Sequence, residues 1–156
     1  MPEVVFNSVH MDLLEYVEAE IAKLELPELP PEQVYLGWIV TDRDRTITSG
    51  AVMIAPYEQE GQPGGTNATD DIEYPIAVAI LAPGNQKITD RDEMRKYLFW
   101  RQLIFRRFRV QQHKAVGRPL LCTIRPLPIV DGLAFRDQNL IVSGMTLVFT
   151  NREGRV

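Results

Sequence analysis

The sequence predicts an α+β fold, a mainly antiparallel sheet with two helices packed on one face in the order α-β-β-β-α-β-β. Three observations predict it. Two segments, one starting at Asn7 or Ser8 and one at Thr89, repeat apolar residues at helical spacing. Five others are rich in β-branched and aromatic residues or alternate bulky with small ones. Paired strands at each end of the chain suggest hairpins, the signature of antiparallel pairing.

The first helix takes Asn7 or Ser8 as its cap, and Leu13, Leu14, Val17, Ile21 and Leu24 form one buried stripe. It stops near Leu26, because Pro27, Pro30 and Pro31 remove donors and force extended geometry on the residues before them. Residues Val34 to Val40 read as a strand, Thr41 to Arg45 as a polar turn, and Gly50 to Ala55 as the second arm of a hairpin. The segment Tyr57 to Asp71 holds Gly61, Pro63, Gly64, Gly65 and Asn67 and almost nothing apolar, so a flexible loop is expected at 57–71. Tyr74 to Ala82 is a strand with Ile76, Val78 and Ile80 on one face and Ala77 and Ala79 on the other, the small face being the one expected under a helix.

The second helix begins at Thr89 with Asp92 in a box-like pair, and acids at its positive end favour its start. Its sheet-facing stripe is expected to be Met94, Tyr97, Leu98, Ile104, Phe105 and Phe108. Trp100 and Leu103 share a second face with Lys96 and Arg107. Strands at Leu120 to Ile124 and Leu140 to Thr150 complete the chain, where Ile141, Met145, Leu147 and Phe149 alternate with Val142, Thr146 and Val148.

At 156 residues with 45% hydrophobic composition, residues 1–156 are expected to form a single domain with an ordinary core. One cysteine excludes an internal disulfide, and with only two histidines a zinc site would have to gather Cys122, His10 and His113 from distant segments. Neither a signal-peptide start nor a run of about 20 apolar residues is present, so a soluble intracellular protein with no membrane partner is expected.

Catalytic chemistry finds little support. Asp42 and Asp44 lack further oxygen ligands and stand beside Arg43 and Arg45. The acids Asp70, Asp71 and Glu73 belong to the expected loop, whereas catalytic groups need rigid support. Cys122 reads as a small buried hydrophobe, and neither histidine has an acid or nucleophile beside it in sequence. The reading is therefore a protein that is not an enzyme, with no catalytic residues, no metal and no cofactor.

Charge is the distinctive feature. The net charge is −4, yet residues 1–90 carry four basic and sixteen acidic residues, whereas 91–125 carry ten basic and two acidic. Such separation suits nucleic acid, an acidic partner or a second copy of the chain, or else pairing within one monomer. The stretch Trp100 to Lys114 interleaves aromatics with arginines. Basic stems near a helix C-terminus are favourable without any partner, but Trp and Arg are also the residues that anchor interfaces. The subunit interface is accordingly expected at Trp100, Arg101, Leu103, Arg106, Arg107 and Arg109, facing the acidic surface of a neighbour. The partner-docking loop is expected at Tyr57, Glu58, Glu60, Asp70 and Asp71. A nucleic-acid-binding module using the basic helix 100–114 is the alternative.

In layout, this chain combines an N-terminal helix, an extended hairpin, a Gly/Pro/Asn-rich loop before Tyr74-Pro-Ile-Ala-Val-Ala-Ile, a long Arg-rich helix with an aromatic end and two closing strands. It resembles the tail terminator and tail-completion proteins of the neck of long-tailed bacteriophages. The resemblance implies a structural protein of virion assembly, a homo-oligomer, typically a hexameric ring. It would join the tail tube protein to head-neck proteins, with DNA passing through the lumen without sequence recognition. It would reside in the virion tail after assembly in the host cytoplasm. A head-closure protein is another neck component with which the layout is compatible.

Overall fold

The computed structural model describes residues 4, 6–43, 47, 49–57, 61–65, 69–84, 89–109, 112–115, 117 and 119–154, the side chains of 61–65, 69, 70, 112, 126, 137, 138 and 154 excepted. Helix α1 spans Val9–Lys23. Ser8 is its cap, accepting from the Met11 N–H at 3.0 Å, and Leu13, Leu14, Val17 and Ile21 are its buried stripe. A 3₁₀ turn over Pro31–Gln33 leads into β1, which is only Val34–Leu36, and β2 follows at Ala51–Pro56. Next come β3 (Gly61–Gly65), the long β4 (Thr69–Pro83) and helix α2 (Arg91–Phe108). The chain closes with β5 (Gln112–Lys114), β6 (Pro119–Pro126), the short helix α3 (Gly132–Gln138) and the long β7 (Leu140–Gly154).

The strands form one sheet of order β1-β2-β4-β7-β6-β5, with β3 paired to the outer part of β4. All pairings are antiparallel except β1 with β2, which run parallel with Val34 opposite Val52. The fold is α+β with a mostly antiparallel sheet, but its first pair is not the expected hairpin. The polar turn at Thr41 suggests a reversal, yet residues 37–50 are long enough for the connection of roughly a dozen residues that a parallel crossover needs. At the end of that crossover Gly50 takes φ +106°, and a Cβ there would lie 2.8 Å from the Tyr97 ring and 3.0 Å from Trp100. Both the left-handed backbone and the close approach demand glycine.

The axis of the sheet is the β4–β7 pair, in register from Thr69 opposite Gly154 to Pro83 opposite Leu140. At about 3.4 Å per residue, two paired strands of 15 residues reach ~50 Å, well beyond the helices. Of the segment 57–71, expected as an open loop, residues 61–65 and 69–71 are strand; 58–60 and 66–68 lie outside the described residues. Strand β3 pairs Gly61 with Glu73 and Gly65 with Asp70, making a third strand beside the β4–β7 ribbon.

Both long helices cover one face. Val52 and Ile54 from β2, Tyr74, Ile76, Val78 and Ile80 from β4, and Met145, Leu147 and Phe149 from β7 point into the same core as Leu13, Val17, Tyr97, Trp100, Ile104 and Phe108. The helices therefore lie on the bulky face of β4, where they bury branched side chains, and not on its alanine face as the strand pattern suggested. On the reverse face Tyr35, Ala51, Met53, Ala79, Leu81 and Leu140 form a smaller cluster.

Further corrections concern ends and short elements. Strand β1 stops at Leu36, leaving Trp38 and Ile39 exposed instead of paired. The cap of α2 is Asp90, whose carboxylate accepts from the Asp92 and Glu93 N–H groups, not Thr89. Strand β5 and helix α3 are additional; α3 is capped by Asp131 and ends at Asn139 in the left-handed region (φ 52°). The proline-rich segment is a strap across α2: Leu26 is buried, and the Pro27 carbonyl accepts the Trp100 indole N–H at 2.9 Å. Among the described residues no helix is long and apolar enough to cross a membrane.

Candidate functional site

Helix α2 carries more apolar residues than one face can bury, so its rotation decides what remains outside. The sheet takes Tyr97, Trp100, Ile104 and Phe108, spaced i, i+3, i+7 and i+11. Met94, Leu98 and Phe105, expected against the sheet, are left 41–52% exposed, with Phe99 beside them. Tyr97, Ile104 and Phe108 of the expected stripe do meet the sheet, whereas Trp100, expected on the second face, takes the place of Met94, Leu98 and Phe105. The large Trp100 ring has both a cavity to fill and an acceptor for its N–H inside.

Of the six residues expected at a subunit interface, four face inward. Trp100 is fully buried, edge-on to Tyr97 at 5.2 Å between ring centroids, and cannot anchor a partner. Burial, with the nearby Glu93 carboxylate, raises the Tyr97 hydroxyl above its ordinary pKa. Leu103 packs against the main core.

Arg107 grips Glu20 of α1: its Nε and Nη2 donate to the same carboxylate oxygen at 3.0 and 2.6 Å, and Nη2 lies 3.4 Å from the Tyr16 hydroxyl. Arg101 donates to the Ser143 hydroxyl (3.0 Å) and to the Gly144 and Leu127 carbonyls (2.7 and 3.3 Å), and burial draws its pKa down. Arg106 and Arg109 are the two that face solvent. The expected basic helix 100–114 is not one helix, since α2 ends at Phe108 and 112–114 is strand β5; as a phosphate-binding surface the stretch is depleted, with Arg101 and Arg107 committed internally and Arg106, Arg109 and Lys114 outward.

The Glu20–Arg107 pair gives the charge separation an internal role. Burial opposes ionisation of Glu20, but hydrogen bonds from Arg107 and Lys23 outweigh it and hold the carboxyl below its usual range. A carboxylate whose folded pKa is depressed stabilises the fold above its unfolded value near ~4.3 and loses that contribution as pH falls through the folded value. We expect the urea midpoint of wild type to drop between pH 5 and pH 3, and Glu20→Gln to flatten that part of the profile. An unchanged profile in the variant would remove the pair from acid sensitivity.

The exposed face of α2 borders an apolar groove of about 370 Å³. Met94 and Leu98 form one wall; Ile129, Val130 and Phe135 form the other, with Ile141 and Ser143 at the base. Among the described residues its charged lining is Asp90, the α2 cap, and Glu93, which pairs with Lys96 at 3.3 Å. The groove exists because β6 ends at Pro126 opposite Met145, leaving Leu140–Gly144 of β7 without a strand neighbour on that side. The edge is closed by other groups: the Asp131 N–H donates to the Val142 carbonyl at 2.8 Å, and Arg101 caps Gly144. The chain crossing that gap leaves Ile129, Val130 and Leu133 more than half exposed.

A second cleft, about 320 Å³, lies on the reverse face over Ala55, Ala77, Ala79 and Gly144, between Trp38–Val40 and Ala134 of α3. The small face of β4 thus floors a cleft flanked by a short helix. None of the residues 127–135 features in the expected interface, although two apolar pairs in a segment too short for a core element were a legible sign.

The expected docking residues fare unevenly. Tyr57 is 37% exposed beside the second cleft, and its N–H bonds the Pro75 carbonyl at 3.2 Å. Asp71 is paired with Arg152 of β7 at 2.8 Å, which lowers its pKa. Asp70 lies in the β4 ladder opposite Gly65 and Glu153, with its side chain undescribed. Glu58 and Glu60 lie outside the described residues, as does Asp44 of the Asp42–Asp44 pair.

Cys122 and His113 are both enclosed. Cys122 is buried, and desolvation pushes its thiol up to about 12, against the requirement for a nucleophile. His113 sits not in a surface connector but in the core, with Nδ1 2.8 Å from the Tyr16 hydroxyl and its ring stacked on Phe108. The His113 ring of this hydroxyl–imidazole pair lies between Phe108 and Phe149, and the pair joins α1 to β5. His10 contacts the Pro75 carbonyl and the edge of Tyr74. Among the described residues no cluster of three His, Cys, Asp or Glu side chains could hold a metal ion.

No family model and no curated protein matches this chain significantly. What the site offers is an apolar groove bordered by the exposed Met94 and Leu98, with Phe105, Arg106 and Arg109 exposed farther along the same helix.

Proposed function

We propose that this chain is a structural assembly protein that forms a ring at the neck of a long-tailed bacteriophage. There it acts as a tail terminator joining the tail tube to head-neck proteins, without a catalytic role. The observation that carries the reading is the apolar surface of Met94, Leu98, Ile129, Val130 and Leu133 left in water on a small subunit. Contiguous apolar surface rimmed by polar groups is what assembly interfaces leave exposed in the isolated subunit. Two further features support it: the N-terminal helix, long Arg-rich helix and closing strands, in which the layout still resembles that of neck proteins, and the β4–β7 ribbon, an extended arm long enough to meet a neighbour or the tube. Another neck component, such as a head-closure protein, would use the same surfaces.

Native mass spectrometry of the purified chain, alone and with tail tube protein, tests the reading. A closed oligomer in either sample is the expected result; a monomer in both overturns it. A nucleic-acid module would instead bind DNA with an affinity falling steeply as salt rises, the slope shrinking when Arg106 and Arg109 are removed.

A further inference from the structure

We infer that the outward face at the C-terminal end of α2 docks on the outward face of α1 in a second copy, arginine against carboxylate. The inference rests on the ring-forming reading and names one of its contacts. Charge and spacing select this occupant.

Helix α1 carries four acids, Asp12, Glu15, Glu18 and Glu20, against the single base Lys23, whereas residues 100–109 carry four arginines and no acid. Part of this charge is spent inside the chain. Glu20 holds both Lys23 and Arg107, and Arg101 bonds the edge of β7. The side chains of Asp12, Glu15, Arg106 and Arg109 make no hydrogen bond or ion pair among the described residues. Their places near helix ends favour each charge locally but leave its hydrogen-bonding capacity to water. Two uncommitted carboxylates and two uncommitted guanidiniums are complementary surfaces on copies of one chain. Arginine suits the pairing, since its guanidinium is weakly hydrated and meets a carboxylate through a planar fork.

The spacing of the two sets matches. Gln102, Phe105, Arg106 and Arg109 recur at i, i+3, i+4 and i+7 and are all exposed, with Arg109 keeping helical backbone as the C-cap. Asp12, Glu15, Ala19 and Ala22 recur at i, i+3, i+7 and i+10 on the outside of α1. In each pair the charges stand three residues apart, about 4.5 Å along the axis, so two arginines of one helix meet two carboxylates of another in register. The small side chains of Ala19 and Ala22 leave room for the Phe105 ring. Within one chain the end of α2 meets α1 at Glu20, eight residues or about 12 Å beyond Asp12, so the complement is met between copies. The two patches are different, which makes the contact head-to-tail, the class that closes into rings.

The test is a charge swap in the full chain. Asp12→Lys with Glu15→Lys reverses one face, and Arg106→Glu with Arg109→Glu reverses the other. None of the four side chains is bonded within the chain, so both proteins should keep wild-type circular dichroism and melt within a few degrees of wild type. Where wild type assembles, alone or with tail tube protein, each double variant should self-associate about tenfold or more weakly by native mass spectrometry and sedimentation, because like charges then face each other. The quadruple variant should assemble as wild type does. If it misfolds, an equal mixture of the two double variants takes its place, since every contact between unlike chains is again complementary. A folded double variant that assembles like wild type, or a restored pairing that assembles no better than the double variants, overturns the inference while the ring reading stands. Loss on reversing α2 with no loss on reversing α1 also overturns it, and assigns the arginines to another acidic partner, DNA included. A wild type that is monomeric under all these conditions removes both.

Discussion

Trp100→Ala should destabilise the protein by about 3–5 kcal/mol, lowering its melting temperature by on the order of 10 °C. The indole is completely buried between the strap at Pro27 and the sheet, and its N–H satisfies the Pro27 carbonyl. Truncation opens a cavity, leaves that carbonyl without its donor and removes the edge-on contact with Tyr97. Urea unfolding followed by circular dichroism measures the loss. The result separates two roles for the same residue. An interface anchor would leave the monomer's midpoint unchanged and weaken only assembly, so an unaltered midpoint would contradict the placement of Trp100 in the core.

Arg101→Ala is expected to cost about 2–3 kcal/mol, more than an ordinary surface arginine, because its guanidinium bonds Ser143, Gly144 and Leu127 at once. Two of those acceptors are backbone carbonyls, Gly144 where β7 has lost its β6 neighbour and Leu127 just past the end of β6. Without Arg101 the gap opens, and amide exchange at Ser143, Gly144 and Met145 should accelerate relative to the β4-paired interior. Arg106→Ala and Arg109→Ala serve as controls, with stability changes within about 0.5 kcal/mol. A cost for Arg101 no larger than for those two would mean that the edge is closed by Asp131 alone.

The stripe of α1 was legible because Leu13, Leu14, Val17 and Ile21 are its only compact apolar set, while Glu15 and Lys23 define its wet side. The central strands were equally legible from Ile76, Val78 and Ile80 and from Met145, Leu147 and Phe149, since alternation has period two in any sheet. Helix α2 was different. Met94, Leu98 and Phe105 form as good a stripe as Tyr97, Trp100 and Phe108, and periodicity alone assigns no preference between them. The choice falls to groups far away in sequence: Pro27 as acceptor for the indole, Glu20 for Arg107, and Gly144 for Arg101.

The candidate site was the least legible part for the same reason. Its walls come from α2 and from residues 129–135, and they meet only because β6 stops short of the end of β7. The hairpin expected between β1 and β2 failed similarly. A polar turn signals a change of direction, but whether the chain returns antiparallel or crosses over depends on where the crossover docks, here against Tyr97 and Trp100.

By itself, the sequence determined the α+β class, the existence of the two long helices and principal strands, and the concentration of acids before residue 90 and bases after it. Those follow from local chemistry: side-chain periodicity, capping and proline act within a few residues. Tertiary structure alone decided which face of α2 is buried, which arginines are consumed inside, and where apolar surface remains in water. Each of those outcomes is a competition among distant segments for one core, settled by which packing buries the most apolar area while every enclosed polar group still finds its partner.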